Sequence, residues 1–465
     1  MDQTWRFVRR FYPEILLCWL ALYFTFRELG SFPAAWEDSG LYTMVAKNVA
    51  AGHGYSLPIL HSRWAYPYFL SVGPTVILPV AFFIHLFGFT LAVARIPSTL
   101  YLLGTCVAFY LYVQKISGIR DARWATALLI TLSAFINGGK PVLGSVPALF
   151  FLLLGLHVLH DNRASAKRAV LMGILFGLSV LTKLTCFLIL PALCIAVLYK
   201  GVMRQRRTMW YLCLTLVIAL ALFFPWLLLE LREQPGFGSF LMEVFTRSDG
   251  ESLLMVLANK MPMLLRFQYQ YFGVLFVLAI AGFFHSDVRL SPRERVFLVS
   301  LFGFFLVYFL MREGWYRHLL LAHVLLLPFV PAGARLLLRE YWRPVLVIFI
   351  GAQTIWQLDH RGSSQTQGSD AAVEYIRQHL ADTDVLIQHP ELIVQLPENL
   401  HWLYYPLPGN RELMPERFTT RSADELCMLR VRKINEEDVA KYGSAMVNIG
   451  GKYFLIPKRS ECTEA

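Results

Sequence analysis

Runs of apolar residues, each about 17–25 residues long, recur along most of this chain and are separated by short loops rich in Lys and Arg. Of the 465 residues, 56% are apolar and only 16% are charged, whereas soluble domains carry about 25% charged residues. A helix needs a run of this length to cross the hydrocarbon core of a bilayer. The pattern therefore predicts a mainly α, polytopic membrane protein in contact with membrane lipid.

The basic residues predict how the chain is threaded through the membrane. Short loops dense in Lys and Arg stay in the cytoplasm, and placing all the basic clusters there predicts about eleven transmembrane helices. The N-terminus is then cytoplasmic and the C-terminal tail extracytoplasmic. The predicted spans are 13–30, 93–113, 123–138, 146–160, 169–183, 184–199, 209–229, 271–286, 296–311, 319–336 and 343–358. The clusters are Arg6, Arg9, Arg10; Lys115, Arg120, Arg123; Arg163, Lys167, Arg168; Lys200, Arg204, Arg206, Arg207; Arg289, Arg293, Arg295; and Arg335, Arg339, Arg343.

The net charge of +11 is unevenly distributed along the chain. Residues 1–358 hold 31 basic and 16 acidic side chains, whereas residues 359–465 hold 12 basic and 16 acidic ones. In a soluble protein such a basic excess would suggest a nucleic-acid partner. Here the basic residues lie between apolar segments, where orientation in the membrane explains them, so we expect no nucleic-acid partner.

One apolar stretch, residues 74–89, is difficult to assign. It contains Pro74 and Pro79 and is bounded by Gly73 and Gly88, so it is short and interrupted. If it crossed the membrane, every later basic cluster would be exported. We interpret it as an interfacial or re-entrant helix within a long outer loop, residues 31–92. A twelfth span is the alternative.

Residues 360–465 change character and predict a separate extracytoplasmic domain, following a transmembrane domain of residues 1–359. The pattern indicates an amphipathic helix at 371–380 and short strands at 384–387, 401–405 and 452–456. Such a segment is long enough for one small α/β domain. Cys427 and Cys462 lie in it and could form a disulfide if the domain is exported.

Two adjacent carboxylates, Glu37 and Asp38, follow the first predicted span. An ionisable pair at a membrane boundary is costly unless it is solvated or functional. Several cations are predicted on the same face of the membrane. This combination suits chemistry on a lipid phosphate, in which the cations hold the phosphate and a carboxylate takes a proton from an attacking hydroxyl. The cations are Arg63, Arg95, Lys140, Lys183, Arg247, Arg312 and Arg317.

Several short motifs occur in an order that resembles a known family. The chain is similar to the polytopic transferases of the type-C glycosyltransferase fold, especially protein O-mannosyltransferases and the lipid A aminoarabinose transferase. In that family an Asp in the first outer loop precedes a Tyr by four residues. The matching residues are Asp38 and Tyr42; Gly52, His53, Gly54 and Tyr55; Ala94, Arg95, Ile96, Pro97 and Ser98; Thr182 and Lys183; Phe224, Pro225 and Trp226; and Glu243 and Arg247.

The resemblance implies transfer of a sugar from a polyprenyl-phosphate donor to an acceptor hydroxyl at the outer face, with inversion at the sugar carbon. The acceptor would be a glycan, lipid or protein hydroxyl. Asp38 is the predicted general base, with Glu37 as a second catalytic candidate. The predicted ligands of the donor phosphate are Lys183, Arg317, Arg63, Arg247 and Lys140. The predicted contacts to the sugar or acceptor are Tyr42, Trp64, Tyr66 and Glu243.

The chain also departs from the family in ways that bear on a metal. Ser39 stands where the family usually has a second acid after the catalytic Asp. Gly144 and Ser145 replace a carboxylate often found between the third and fourth spans. The cysteines show no metal-binding spacing. We therefore expect no metal and no other cofactor.

Two other functions remain open. A transporter or flippase of a lipid-linked saccharide would place ionisable residues or broken helices near mid-membrane, within internal repeats. A noncatalytic assembly protein would use its exported tail to bind glycan. The absence of an Asn-x-Ser/Thr site in the sequence favours a bacterial inner membrane over a secretory-pathway membrane.

Overall fold

The protein is mostly helical, with a two-stranded hairpin near its N-terminus and a five-stranded sheet near its C-terminus. The structure is a computed structural model. It describes residues 2–67, 71–161, 165–233, 255, 258–263, 272–311, 316–359, 369–406, 414–418, 425–434, 439 and 442–458.

The described helices fall into two groups. The apolar part contains α1 (Asp2–Phe26), α2 (Glu37–Ala50), α3 (Pro74–Phe87), α4 (Leu91–Ser117), α5 (Ile119–Thr131), α6 (Ser133–Gly139), α7 (Ser145–His160), α8 (Ala166–Thr182), α9 (Ile189–Val202), α10 (Arg206–Glu230), α11 (Leu275–Phe283), α12 (Pro292–Met311), α13 (Arg317–Leu326), α14 (Val330–Leu338) and α15 (Trp342–Leu358). The C-terminal part contains α16 (Asp370–His379) and α17 (Pro390–Ile393).

The apolar helices make this a multi-pass membrane protein. Five helical stretches in the described ranges are long and apolar enough to cross a bilayer: Leu91–Ser117, Leu184–Val202, Arg206–Glu230, Pro292–Met311 and Arg317–Leu358. Three further apolar helices are shorter: Phe11–Phe26, Pro74–Phe87 and Ser145–His160. The predicted number of about eleven spans is therefore not confirmed.

Breaks and junctions in the helices explain part of the difference between the predicted spans and the observed helices. The predicted span 123–138 is divided, because α5 ends at Thr131 and the extended backbone of Leu132 precedes α6. The predicted spans 319–336 and 343–358 form one helical stretch of 42 residues, joined through 3₁₀ turns at Leu327–Phe329 and Arg339–Tyr341. Hydropathy alone does not register such breaks and junctions.

The ambiguous stretch 74–89 forms α3, a helix of 14 residues that ends at Gly88. At about 1.5 Å per residue it is shorter than the roughly 30 Å of a hydrocarbon core. Its length agrees with an interfacial or re-entrant helix, and its position in the membrane stays a prediction.

Helices α8 and α10 pack closely through glycines of α8. A Cβ atom added to Gly173 would lie 2.7 Å from Cβ of Ile218, and one added to Gly177 would lie 3.0 Å from Cα of Ala219. Small residues let membrane helices approach to backbone contact in this way. The C-terminal ends of the two helices consequently lie side by side, and we call this end of the bundle the site end.

The C-terminal unit (residues 369–458) contains the predicted helix and the three predicted strands. Its strands are β3 (Val385–Ile387), β4 (Trp402–Tyr404), β5 (Leu429–Lys433), β6 (Val447–Gly450) and β7 (Tyr453–Ile456), in the order β4-β3-β5-β7-β6. β3 is parallel to β4 and β5, and β7 is antiparallel to β5 and β6. Val373 and Ile376 of α16 are buried with this sheet. Cys427 is disulfide-bonded, and Cys462 lies outside the described residues.

The C-terminal unit docks directly on α2, the helix that begins with Glu37. A Cβ atom on Gly40 would lie 2.6 Å from backbone atoms of Pro390 and Glu391. The Lys47 ammonium donates to the carbonyl oxygens of Val394 and Leu396 at 3.3 and 3.4 Å. The unit therefore holds the orientation of α2.

Replacing Gly40 by alanine is expected to loosen this contact, because overpacking against backbone costs about 1–3 kcal/mol. Hydrogen–deuterium exchange should become faster in residues 390–396, with little change elsewhere. Gly351→Ala is the matched control, since a Cβ atom there meets no atom within 4 Å. Unchanged exchange in Gly40→Ala would show that the docking is looser than the structure indicates.

Beside the docked helix lies a buried carboxylate, Glu391, in a polar network. Its Oε1 accepts hydrogen bonds from Lys433 Nζ at 2.6 Å and from the Tyr453 hydroxyl at 3.0 Å. Burial alone would raise the pKa of Glu391, but His389 and Lys433 outweigh it and lower the pKa to about 2. The folded protein therefore stabilises the ionised form of Glu391.

Acid should therefore destabilise the C-terminal unit over a defined window. The folded pKa of Glu391 lies below its usual value of 4.5, so its stabilising contribution is present above pH 4.5 and is lost as pH falls toward 2. Thermal unfolding should show a Tm that falls more steeply over this window in the wild type than in Glu391→Gln. If the Tm of both proteins falls equally with pH, groups other than Glu391 cause the acid sensitivity.

Candidate functional site

Asp38 lies in the first turn of α2 at the site end of the bundle. Ser39 holds the start of this helix, because its hydroxyl donates to the Trp36 carbonyl at 3.0 Å and accepts from the Trp36 N–H at 3.3 Å. A carboxylate in the first turn also interacts favourably with the helix dipole. The local sequence thus fixes the direction of the Asp38 side chain.

Asp38 is paired with Arg317, which begins α13. The guanidinium donates to the Asp38 carboxylate, and its central carbon lies 5.6 Å from the centre of the Trp36 ring. The side chains of Asp38 and Arg317 are 30% and 28% exposed. The pair is therefore held in place while remaining open to a ligand.

A second cation is connected to the next turn of α2. The Tyr42 hydroxyl is hydrogen-bonded to the Ser71 hydroxyl at 3.0 Å, and Lys183 Nζ donates to the same Ser71 oxygen at 2.6 Å. Lys183 Nζ also lies 5.8 Å from the centre of the Tyr42 ring. We call these five residues, Asp38, Tyr42, Ser71, Lys183 and Arg317, the Asp38 cluster.

The backbone holds Lys183 at the end of α8. Val72 and Lys183 form an isolated antiparallel bridge, with hydrogen bonds from Leu184 N to Ser71 O (3.1 Å) and from Gly73 N to Thr182 O (3.2 Å). A side chain at Gly73 would overlap the carbonyl oxygen of Leu181. Main-chain contacts therefore anchor the backbone at Lys183, while the Ser71 hydroxyl holds its ammonium.

Tyr42 remains a neutral hydroxyl in this cluster. Burial, and then the nearby charge of Asp38, raise the pKa of Tyr42 above its usual value. The Asp38 cluster thus offers one carboxylate, two cations and two hydroxyl groups. Such an arrangement can accept a proton at Asp38 and bind an anion between Lys183 and Arg317.

Two other predicted contacts lie on the hairpin of β1 (Ser56–Ile59) and β2 (Ser62–Ala65). Successive side chains of a strand point to opposite faces, so Trp64 is fully buried while Arg63 is exposed. Trp64 packs on Phe418 at 6.1 Å between ring centres, which leaves no open ring face for a sugar. Arg63 lines a cleft of about 580 Å³ between the hairpin and the C-terminal unit.

Tyr66 has neighbours different from those of Trp64. Its ring stacks on Tyr55 at 5.8 Å and meets Trp226 edge-on at 5.9 Å. The Tyr55 hydroxyl donates to the carbonyl oxygen of Val72 at 3.1 Å, which adjoins Ser71. Tyr66 therefore belongs to an aromatic group beside the Asp38 cluster.

Lys140 is buried at residues 27–33, the turn that follows α1. Its ammonium donates to the Arg27 carbonyl at 2.8 Å, and Arg95 donates to the carbonyls of Leu29 and Pro33. Burial, and then the charge of Arg95, lower the pKa of Lys140 to about 8. Its described contact holds this turn, which differs from the predicted role at a phosphate.

Glu37 lies within electrostatic range of the C-terminal unit. Its charge adds to burial in raising the pKa values of Tyr404 and Tyr453. Adjacent residues of a helix diverge by about 100°, so the side chains of Glu37 and Asp38 leave α2 in different directions. The role of Glu37 as a second catalytic residue stays a prediction.

Three predicted residues lie outside the described ranges, namely Glu243, Arg247 and Arg312. Within the described ranges, no group of three or more His, Cys, Asp or Glu side chains is placed to hold a metal ion. Sequence reasoning did not identify Ser71, because a lone serine before Val72 and Gly73 carries no motif. Its closeness to the start of α3 was the only available signal.

Comparisons with known proteins support the predicted resemblance. Residues 71–229 match the family model described as dolichyl-phosphate-mannose-protein mannosyltransferase. This region includes Ser71 and Lys183 but excludes Asp38 and Arg317. No curated protein sequence matches the chain at a significant level.

Solved structures share the fold over nearly the whole chain. ArnT from Cupriavidus metallidurans, bound to undecaprenyl phosphate, has a TM-score of 0.67 at 15% identity, covering 97% of this chain and 99% of its own. The archaeal oligosaccharyltransferase AglB from Archaeoglobus fulgidus, in complex with an inhibitory peptide and a dolichol-phosphate, has a TM-score of 0.58 at 13% identity, covering 94% and 71%. Arabinofuranosyltransferase AftD from Mycobacteria has a TM-score of 0.52 at 16% identity, covering 85% and 32%. The resemblance to type-C glycosyltransferases is confirmed at the level of the fold.

Proposed function

We propose that this multi-pass membrane protein of the type-C glycosyltransferase fold transfers a sugar from a polyprenyl-phosphate donor to an acceptor hydroxyl. The observation that carries the proposal is the Asp38 cluster, in which Asp38 pairs with Arg317 and, one helical turn away, Tyr42 is linked through Ser71 to Lys183. A base and two cations from three separate segments meet at one end of the bundle. A lipid-linked phosphate needs this combination of groups.

The reaction proceeds by displacement at the anomeric carbon. Asp38 takes the proton of the acceptor hydroxyl, and the acceptor oxygen forms a bond to the anomeric carbon. The bond from that carbon to the phosphate oxygen breaks, and the lipid phosphate leaves as an anion. Attack from the side opposite the phosphate inverts the configuration at the sugar carbon.

The two cations have different parts in this step. Lys183 binds the donor phosphate and stabilises the charge that develops on it as it leaves. Arg317 orients Asp38 and adds a second positive charge at the site that attracts the donor phosphate. Arg63 and Lys140 are left out of the catalytic set because Arg63 lines the cleft at the C-terminal unit and Lys140 binds the carbonyl of Arg27.

The lipid donor and the location follow from separate arguments. ArnT is bound to undecaprenyl phosphate and AglB to a dolichol-phosphate, which supports a polyprenyl-phosphate donor for the same fold. The basic loop residues Lys115, Lys200 and Arg293 lie at the end of the bundle opposite the site end, which supports catalysis at the extracytoplasmic face. A bacterial inner membrane is the proposed location.

Mass spectrometry of lipid that copurifies with the full chain tests the donor directly. We expect a polyprenyl phosphate with or without one sugar, and transfer of that sugar to acceptor extracts in detergent. A transporter or flippase would bind a lipid-linked saccharide but form no product in detergent. Copurification of membrane phospholipid only, with no polyprenyl phosphate and no sugar transfer, would overturn the proposal.

A further inference from the structure

Glu230 is a buried carboxylate at the site end of α10 that the proposed reaction does not use. It is 6% exposed, and its Oε1 accepts a hydrogen bond of 2.8 Å from Trp226 Nε1, one turn earlier in the same helix. Among the described residues no Lys, Arg or His pairs with it. Burying a carboxylate without a cation is costly, so such a group in a membrane protein calls for a functional explanation.

Aromatic rings surround Trp226, which donates the hydrogen bond to this carboxylate. Trp226 meets Tyr55 edge-on at 4.9 Å and Tyr66 at 5.9 Å, while Tyr55 and Tyr66 stack at 5.8 Å. Tyr66 has a positive φ of 50°, a conformation that bulky residues rarely adopt and that often marks a functional position. We call Glu230, Trp226, Tyr55 and Tyr66 the Glu230 group.

The Glu230 group adjoins the segment that holds Lys183. The Tyr55 hydroxyl donates to Val72 O, and the Trp226 Nε1 atom lies 3.7 Å from the position of a Cβ on Gly73. Val72 and Gly73 directly follow Ser71 and pair with residues 182–184. A ligand whose phosphate meets Lys183 would therefore have its next chemical group close to the Glu230 group.

A purely structural role does not explain why the side chain is an acid. If Glu230 served only to accept from the Trp226 indole, a glutamine amide oxygen would do so without burying an ionisable group. A carboxylate is instead suited to accept strong hydrogen bonds from a ligand. The faces of aromatic rings complement the apolar C–H face of a sugar ring.

From these contacts we infer that the Glu230 group binds the sugar carried by the donor, with Glu230 accepting hydrogen bonds from its hydroxyl or ammonium groups. This inference rests on the proposed function and adds a specificity-determining residue to it. Glu230 forms and breaks no bond in the reaction. The aromatic rings of Tyr66 and Trp226 contact the sugar ring. Glu230 determines which polar substituents on that ring are accepted.

Glu230→Gln tests the inference, because glutamine keeps an oxygen acceptor for Trp226 at nearly the same shape and removes the acid group. The probes are undecaprenyl phosphate without sugar, undecaprenyl phosphate carrying a neutral hexose, and the same lipid carrying an amino-pentose. Binding of each probe to the full chain is measured in detergent. Glu340→Gln, at an exposed acid between α14 and α15, is the matched control.

We expect Glu230→Gln to weaken binding of the preferred sugar-bearing lipid by about tenfold or more, with sugar-free lipid phosphate bound as in the wild type. Weaker binding of the hexose lipid would show that Glu230 accepts from a sugar hydroxyl. Weaker binding of the amino-pentose lipid would show that it accepts from a sugar ammonium group. Equal weakening of all three probes, or of none, would overturn the inference. If the wild type binds no lipid phosphate at all, the proposed function fails as well, so the two failures are distinguishable.

Discussion

Asp38→Asn should lose a factor of roughly 10²–10⁴ in turnover, the range expected when a general base is removed. The amide has nearly the same shape as the carboxylate but cannot take the acceptor proton at neutral pH. Because the donor phosphate is proposed to bind Lys183 and Arg317, donor binding should change little. Steady-state sugar transfer and donor titration, on the same purified protein, separate the two quantities.

Matched variants make the Asp38 result interpretable. Asp384→Asn removes an acid that is 64% exposed and pairs with His401 in the C-terminal unit, and it should keep wild-type turnover. Asp38→Glu keeps the carboxylate but displaces it, so its turnover should lie between that of the wild type and that of Asp38→Asn. Turnover of Asp38→Asn equal to the wild type, in a protein with unchanged Tm, would remove the mechanism.

Lys183→Ala should weaken donor binding and also lower the rate, with a loss of about 10²–10³ in turnover. In the proposed reaction the ammonium binds the phosphate in the ground state and stabilises it more strongly as the sugar departs. Both kcat and the apparent donor affinity should therefore fall, unlike the pattern for Asp38→Asn. Donor titration by native mass spectrometry, together with kinetics, measures the two effects.

The control for Lys183 is a lysine at the opposite end of the bundle. Lys200 donates to Gln205 at 2.9 Å near the start of α10, and Lys200→Ala should leave donor binding unchanged. Lys183→Arg keeps the charge and should retain part of the affinity. Loss of turnover with full donor affinity in Lys183→Ala would show that another group holds the phosphate.

The C-terminal unit has a direct structural link to α2, the helix that carries Asp38. It contacts α2 at Gly40, two residues after Asp38, and the charge of Glu37 acts on its Tyr404 and Tyr453. Glu37 is therefore coupled electrostatically to the C-terminal unit. We expect Glu37→Gln to change the docking of the unit more than it changes proton transfer.

Much of the local structure could be predicted because it depends on consecutive residues. The apolar runs predicted helices, and the amphipathic pattern at 371–380 predicted α16. Runs of β-branched and aromatic residues predicted β3, β4 and β7. Asp38 and Lys183 were identified because a charge next to an apolar segment is unusual.

Other features could not be read from local patterns. Arg63 and Trp64 are neighbours on one strand, and only the docking of the hairpin against Phe418 determines that Trp64 is buried. Lys140 was grouped with the phosphate ligands by its position in the chain, yet its ammonium meets the carbonyl of Arg27. Ser71 and Glu230 are in no sequence motif.

Hydrophobic transfer and helix formation add up residue by residue along the chain, which is why the sequence alone was enough to establish a helical membrane protein with a small sheet unit. The Asp38–Arg317 pair joins residues 279 positions apart, and the Ser71–Lys183 contact joins residues 112 apart. Such contacts exist only after the helices pack, because close approach at Gly73, Gly173 and Gly177 determines which side chains meet. The local sequence therefore determines the helical membrane part, whereas helix packing determines which residues meet in the site.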